Sequence, residues 1–208
     1  MKTFLVSLLL IVSFASTGLA QGLRVGVKLG GTLSYGAGKD VRESKLRTAY
    51  HGGAVFNIGL GILGDSVVSL QPEVLYSIKG DQATSYGPSI LAQLTYVDVP
   101  LLLKVNAGGL YFEAGPQVSY LLSSTRNPTN ATIDSISYRK SDLGVAVGFG
   151  YQDPKGMNVG WRYTRGFNNI LTTSDKTTVA AGTTDPVLRN TTIQLYVGFL
   201  FNRLFGKK

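Results

Sequence analysis

The stretch Thr192-Ile-Gln-Leu-Tyr-Val-Gly-Phe-Leu-Phe201 shows the pattern that decides the fold. Its odd-numbered positions are all apolar, and the positions between them are mixed and include a glutamine and a glycine. Successive side chains of a β-strand point to opposite faces, so this alternation predicts a strand with one apolar face and one mixed face.

Seven further segments repeat this period of two, and together with the last they predict eight strands. Most are about 9–12 residues long, whereas a strand in a soluble domain has about 5–6 residues and a tilted strand crossing a bilayer needs about 9–11. Segment length therefore favours strands that cross a membrane. The seven segments are 23–30, 54–62, 68–79, 97–106, 112–120, 142–151 and 157–164.

The connections between these segments alternate between short and long. Three tight turns are predicted at Gly64-Asp65-Ser66, at 106–109 and at 153–156, because glycine, asparagine, aspartate and proline cluster there. Short periplasmic turns and longer external loops are typical of outer-membrane barrels. We therefore predict an all-β fold, an eight-stranded antiparallel up-and-down transmembrane β-barrel with both termini on the periplasmic side. The four expected external loops are 31–50, 80–94, 123–141 and 167–191.

The two faces of the strands indicate which side meets lipid. One face is nearly free of charge, and the other carries charged residues interleaved with many of the 26 glycines. A soluble sandwich or a lipocalin-like barrel would place the polar face in water. Glycine weakens an exposed strand but fits a narrow eight-stranded lumen, which favours the membrane barrel. The residues expected to point into the lumen are Arg24, Lys28, Glu73, Lys79, Asp98, Lys104, Glu113, Asp142 and Arg162.

These inward charges predict an ion-pair network that fills the lumen. An eight-stranded barrel is only wide enough for its own side chains, and buried charges must be paired or hydrogen-bonded. Because strands three, four and five are sequential, we expect Glu73, Lys104 and Glu113 to meet across neighbouring strands. The alternative is a polar pore for small solutes.

The first twenty residues predict a cleaved secretory signal peptide at 1–20, followed by a barrel domain at 21–208. Lys2 supplies a positive start, 4–14 are mostly apolar, and Gly18 and Ala20 are small residues before the expected cleavage site. The apolar run is too short for a membrane anchor. We expect the chain to be exported to the cell outer membrane.

Residue types that carry chemistry are scarce in this sequence. The chain has no cysteine, which excludes thiolate metal sites, and His51 is its only histidine. We place His51 at the outer end of the second strand, at the rim or in a loop, where a barrel hydrolase would need a serine or aspartate partner. Since no such motif surrounds it, we expect neither catalysis nor any cofactor or metal.

The formal net charge of +8 raises the question of an anionic partner. The basic residues are divided between the expected lumen and the external loops, whereas a nucleic-acid site needs a clustered basic face, so nucleic acid is not expected. Basic loops beside the phosphates of lipopolysaccharide would be attracted to them. The expected partners are outer-membrane lipid, lipopolysaccharide and the barrel-assembly machinery, which would read Phe201 or Phe205.

Five stretches resemble the PorT-like outer-membrane β-barrel proteins: Val25–Gly31, Tyr96–Lys104, Phe112–Gln117, Trp161–Gly166 and Tyr196–Phe201. The resemblance implies a small outer-membrane barrel of mostly unassigned function with no catalytic residues. The namesake of that family is implicated in protein secretion, which implies a surface or secretion-system protein as a partner. We expect a non-enzymatic structural or surface-interaction role. The alternatives are an accessory role in secretion, a small-solute pore and a barrel enzyme.

Overall fold

The computed structural model describes residues 23–37, 44–45, 47–61, 67–83, 90–127, 137–172 and 189–201. Eight long strands account for most of them. We number these strands in chain order: β1 is Leu23–Ala37, β2 is Arg47–Gly59, β3 is Val68–Ala83, β4 is Ile90–Ala107, β5 is Leu110–Asn127, β6 is Ser141–Gln152, β7 is Met157–Gly166 and β8 is Arg189–Leu200.

The eight strands form a closed antiparallel barrel. Each strand pairs with its neighbours in sequence, and β1 pairs with β8 from Gly26↔Leu200 to Ala37↔Arg189. Closure leaves no free edge around the pairing circuit, which is how a β-structure satisfies its backbone groups in lipid. The predicted eight-stranded up-and-down topology is confirmed.

The barrel is apolar outside and polar inside. Leu195 and Phe112 are 62% and 69% exposed, while Thr32 and Glu73 on the inward faces of their strands are fully buried. A soluble barrel has the reverse arrangement, since its apolar face packs inward. The predicted orientation of the two faces is therefore found in the structure.

Tight turns join the strands at the end of the barrel that also holds both described chain ends. Gly108 and Gly109 form a two-residue hairpin between β4 and β5, with φ values of +62° and +93° that favour glycine. At the β6–β7 turn, the Asp153 carboxylate accepts a hydrogen bond of 2.8 Å from the Met157 amide. The predicted Gly64-Asp65-Ser66 turn and the predicted signal peptide lie outside the described residues.

The strands extend further outward than the sequence suggested. Large parts of the expected loops at 31–50, 80–94 and 123–141 are strand, and β4 and β5 each have 18 residues. The loops at 80–94 and 123–141 were predicted too long because 80–82 of β3 and 123–127 of β5 are polar or glycine on both faces, so the alternation that marks a membrane segment is lost there. In β1 the alternation continues outward through Leu33 and Tyr35. Beyond the lipid, backbone pairing alone continues the ladder.

A short two-stranded pairing lies at the outer mouth, between Ser137–Tyr138 and Leu171–Thr172. Beside it, Ile170 is buried against Leu94 and Tyr96, two residues of β4. Because Tyr96 lies inside the barrel, close to the ammonium of Lys79, this contact brings Ile170 over the outer lumen.

No helix in the described part of the chain is long and apolar enough to cross a membrane.

Candidate functional site in the barrel lumen

Arg162 on β7 is the centre of the side-chain network in the lumen. Its guanidinium is fully buried and donates to Glu73 Oε2 at 2.7 Å and to Glu113 Oε1 at 2.8 Å. Glu73 lies on β3 and Glu113 on β5. Because β3 and β7 are four strands apart in a barrel of eight, the Arg162–Glu73 pair crosses the lumen from one wall to the other.

Further donors satisfy the hydrogen-bonding capacity of the Glu73 and Glu113 carboxylates. Lys28 Nζ lies 2.7 Å from Glu73 Oε1, and Gln71 donates to the same oxygen at 2.8 Å. The Tyr196 hydroxyl donates to Glu113 Oε1 at 2.8 Å. Charged groups in a low-dielectric interior are costly unless they are paired and hydrogen-bonded, and here both carboxylates meet that condition.

Lys104 does not take the place that the sequence suggested. Its ammonium donates to Gln152 Oε1 at 2.7 Å and lies 3.8 Å from the centre of the Tyr111 ring, and no carboxylate oxygen of the described residues is within 4.0 Å. The expectation that Lys104 joins Glu73 to Glu113 is therefore wrong. Arg162 fills that role, because its planar fork of donors reaches two carboxylates at once.

Two tyrosines brace the network, and glycines make room for them. The hydroxyl groups of Tyr111 and Tyr196 lie 2.8 Å apart. A Cβ at Gly160 would lie only 2.6 Å from the Tyr196 hydroxyl oxygen, and one at Gly150 only 2.6 Å from Cζ of Tyr111. Glycines at these inward positions thus allow rings to cross a lumen that is too narrow for two facing side chains.

A second cluster lies nearer the outer mouth. Lys79 Nζ is 2.7 Å from Asp98 Oδ1 and 3.3 Å from the Ser119 hydroxyl. Asp142 accepts a hydrogen bond of 3.3 Å from Asn190, which also donates to Tyr96. The ion pair joins β3 to β4, and the Asn190 contact joins β6 to β8.

Eight of the nine predicted site residues are buried in the lumen, and Arg24 is half-buried near the inner end of β1. Among the eight, four cations face four anions, so their formal charges cancel. The cations are Lys28, Lys79, Lys104 and Arg162, and the anions are Glu73, Asp98, Glu113 and Asp142.

His51 lies inside β2, not at the rim. Its ring is buried in the lumen, and Nδ1 is 2.8 Å from the Thr32 hydroxyl. The predicted rim or loop position is wrong because β2 already begins at Arg47, where its residues pair with the outer part of β1. In the described part of the chain, no group of three or more histidine, cysteine, aspartate or glutamate residues could hold a metal ion.

Sequence reasoning also missed several members of the lumen. Gln71 donates a hydrogen bond to Glu73, and Tyr196 donates one to Glu113. The apolar Leu75 and Leu102 are buried on the inward faces of β3 and β4. The period of two was the signal that places all four inward. These four residues were not among the predicted site residues because none of them is charged.

The family comparison decides the class of protein. A model described as outer membrane protein beta-barrel domain matches residues 14–172. The chain belongs to this family. The match ends before β8, the strand that closes the barrel. Because its outer face is apolar and the chain belongs to this family, it is an outer-membrane barrel protein.

Neisserial surface protein A and OprG show the same fold as this chain at low sequence identity. Neisserial surface protein A matches with 12% identity and a TM-score of 0.57, over 86% of this chain and 99% of that one. OprG from Pseudomonas aeruginosa matches with 11% identity and a TM-score of 0.52, over 88% and 98%. Ail of Yersinia pestis, 11% identical, has a TM-score of 0.47 over 87% and 99%. Comparison with curated protein sequences found no significant match.

Proposed function

We propose that this outer-membrane barrel is a closed, non-enzymatic protein that acts through the surface it presents outside the cell. The observation that carries the proposal is the Arg162–Glu73 ion pair across the lumen. A diffusing ion or solute would have to separate buried charges, which are 2.7 Å apart, and leave them unpaired. This cost supports a filled lumen over a small-solute pore.

Apolar side chains in the lumen support the same proposal. Leu75 and Leu102 are buried on the inward faces of adjacent strands, and Val55 is buried on β2. A conducting channel needs a continuous polar lining that water can wet. Apolar groups between the two charged clusters disfavour such a path.

The lengths of the strands support a role at the cell surface. β3, β4 and β5 have 16, 18 and 18 residues, whereas crossing a bilayer takes about 9–11. At about 3.4 Å per residue, the excess in β4 and β5 gives a ribbon that extends on the order of 20–30 Å along the strand direction. This three-stranded ribbon is the surface we propose for contact with a partner.

Single-channel recording in planar bilayers tests the filled lumen. We expect no stable conductance from the wild-type protein. The variant Arg162→Ala/Glu73→Ala/Glu113→Ala, which removes the side chains that cross the lumen, should conduct. A large, stable conductance of the wild-type barrel would show that it is a pore and would overturn the proposal.

A deletion strain separates the surface role from the secretion role implied by the PorT-like resemblance. We expect deletion to weaken adhesion of the cells to surfaces and to leave the set of exported proteins unchanged. The full chain should restore adhesion, whereas a chain that lacks 81–83 and 90–92, the outer ends of β3 and β4, should not. Disappearance of exported proteins from the cell surface on deletion would instead assign the barrel to secretion.

A further inference from the structure

The lipid-facing surface contains an apolar groove between β5 and β6. The groove is shallow and open to the lipid, its lining is almost wholly apolar, and its volume is about 440 Å³. The groove forms because two consecutive outward positions of β5, Ala114 and Pro116, are small, whereas Phe112 and Val118 on either side of them are large and exposed. The β6 wall is formed by Leu143, Val145 and Val147.

An exposed cation lies beside this groove. Arg165, on the outward face of β7, is paired with Val145 of the groove wall in the β6–β7 ladder. Directly opposed residues in a ladder have Cα atoms about 4.5–5.5 Å apart, so the guanidinium can reach the mouth of the groove. No carboxylate of the described residues lies within 4.0 Å of it.

The position of Arg165 along β7 places it at the outer edge of the membrane. It is the last residue but one of the strand, and Phe167 beyond it bonds through its amide to Leu143 O at 2.8 Å and lines the groove. An arginine that faces lipid is much more costly at the bilayer midplane than near the interface, so this site suits the headgroup region.

We propose that the groove and Arg165 together bind one molecule of the phosphorylated glycolipid of the outer leaflet, the lipid A part of lipopolysaccharide. An acyl chain fills the groove between Ala114 and Phe167. A phosphate lies against the Arg165 guanidinium, whose fork of donors matches phosphate oxygens. The site opens on the outer leaflet and combines a fixed cation with an apolar slot, which is complementary to an anionic lipid. This proposal is independent of whether the lumen conducts.

Native mass spectrometry of the barrel released from nanodiscs tests the site. The nanodiscs contain neutral phosphatidylcholine doped with lipid A, with lipid A stripped of its phosphates, or with phosphatidylglycerol. We expect one retained lipid A and weaker retention of the other two lipids. Arg165→Gln should lower lipid A affinity by at least about tenfold, because it removes charge-assisted hydrogen bonds to the phosphate. Ala114→Phe, which fills the groove, should abolish retention.

Matched variants keep the test specific. Lys155→Gln removes the same charge from an exposed position in the periplasmic β6–β7 turn, and Ala54→Phe adds the same ring to an outward position of β2. Both should retain lipid A, and every variant must first show the heat-modifiable gel migration of a folded barrel. The proposal is wrong if folded Arg165→Gln retains lipid A like the wild type, if phosphatidylglycerol is retained equally, or if the groove holds a second copy of the chain.

Discussion

Replacing Arg162 by methionine should destabilise the barrel strongly, because this one side chain neutralises two buried carboxylates. Glu73 would keep Lys28 at 2.7 Å, but Glu113 would keep only the Tyr196 hydroxyl and a long contact to Gln71. Removing one partner of a buried ion pair costs about 3–5 kcal/mol. We therefore expect the free energy of unfolding of Arg162→Met to fall by about 3–5 kcal/mol.

Equilibrium unfolding by urea in lipid vesicles measures this change with an intrinsic probe. Trp161 is the only tryptophan in the sequence, faces outward and lies 5.5 Å from the Phe149 ring, so its emission reports the loss of the lipid-facing surface. Arg139→Met, at an exposed site, is the control and should change the free energy by less than about 0.5 kcal/mol.

A neutralised network separates the charge effect from a general loss of packing. In Arg162→Met/Glu113→Gln, Glu73 keeps its ion pair with Lys28 and no carboxylate of the Arg162 network is left without a cation, so much of the lost stability should return. The reasoning is refuted if Arg162→Met costs less than about 1 kcal/mol, or if the double variant is less stable than the single one.

Two further changes test the packing of the lumen and its outer ion pair. Gly160→Ala should lower the free energy of unfolding by about 1–3 kcal/mol, and with it the temperature of the heat-modifiable gel transition, because the added Cβ would press on Tyr196. Gly31→Ala, with no atom within 4 Å of the added Cβ, should leave that temperature unchanged. Lys79→Met should cost about 3–5 kcal/mol in the vesicle assay because it leaves Asp98 buried without its cation, and Lys79→Met/Asp98→Asn should recover most of that loss. These expectations are contradicted if the two glycine variants have equal transition temperatures, or if Lys79→Met/Asp98→Asn is no more stable than Lys79→Met.

Most of the fold could be predicted from the two-residue period of the sequence. It identified the eight strands, their inward faces and the topology, because a strand with lipid on one side and a narrow lumen on the other must alternate. It failed at outer strand ends such as 123–127 of β5, where both faces are polar and the alternation is lost. The misplaced His51 follows from this same failure, since a strand assumed to begin late puts its first residues at the rim.

The partners within the lumen were beyond the reach of the sequence. Alternation shows that Lys104 and Arg162 point inward, but their contacts depend on how far the strands are staggered around the closed barrel. Lys104 lies directly opposite Glu113 in the β4–β5 ladder, yet Arg162, two strands away on β7, occupies that carboxylate. Pairing between neighbouring strands predicts a contact between Lys104 and Glu113, whereas the contact between Arg162 and Glu113 follows only from the geometry of the closed barrel.

The same geometry suggests why a network of buried charges is placed across this barrel. A slip of one residue between strands would turn polar side chains toward lipid, but a slip of two would keep the alternation and most of the ladder. Such a slip moves side chains by about 6.8 Å along the strand, which would break contacts of 2.7 Å such as those of Arg162 with Glu73. Since Arg162 contacts β3 and β5, neither of them a neighbour of β7, the network discriminates between registers that the backbone ladder barely distinguishes.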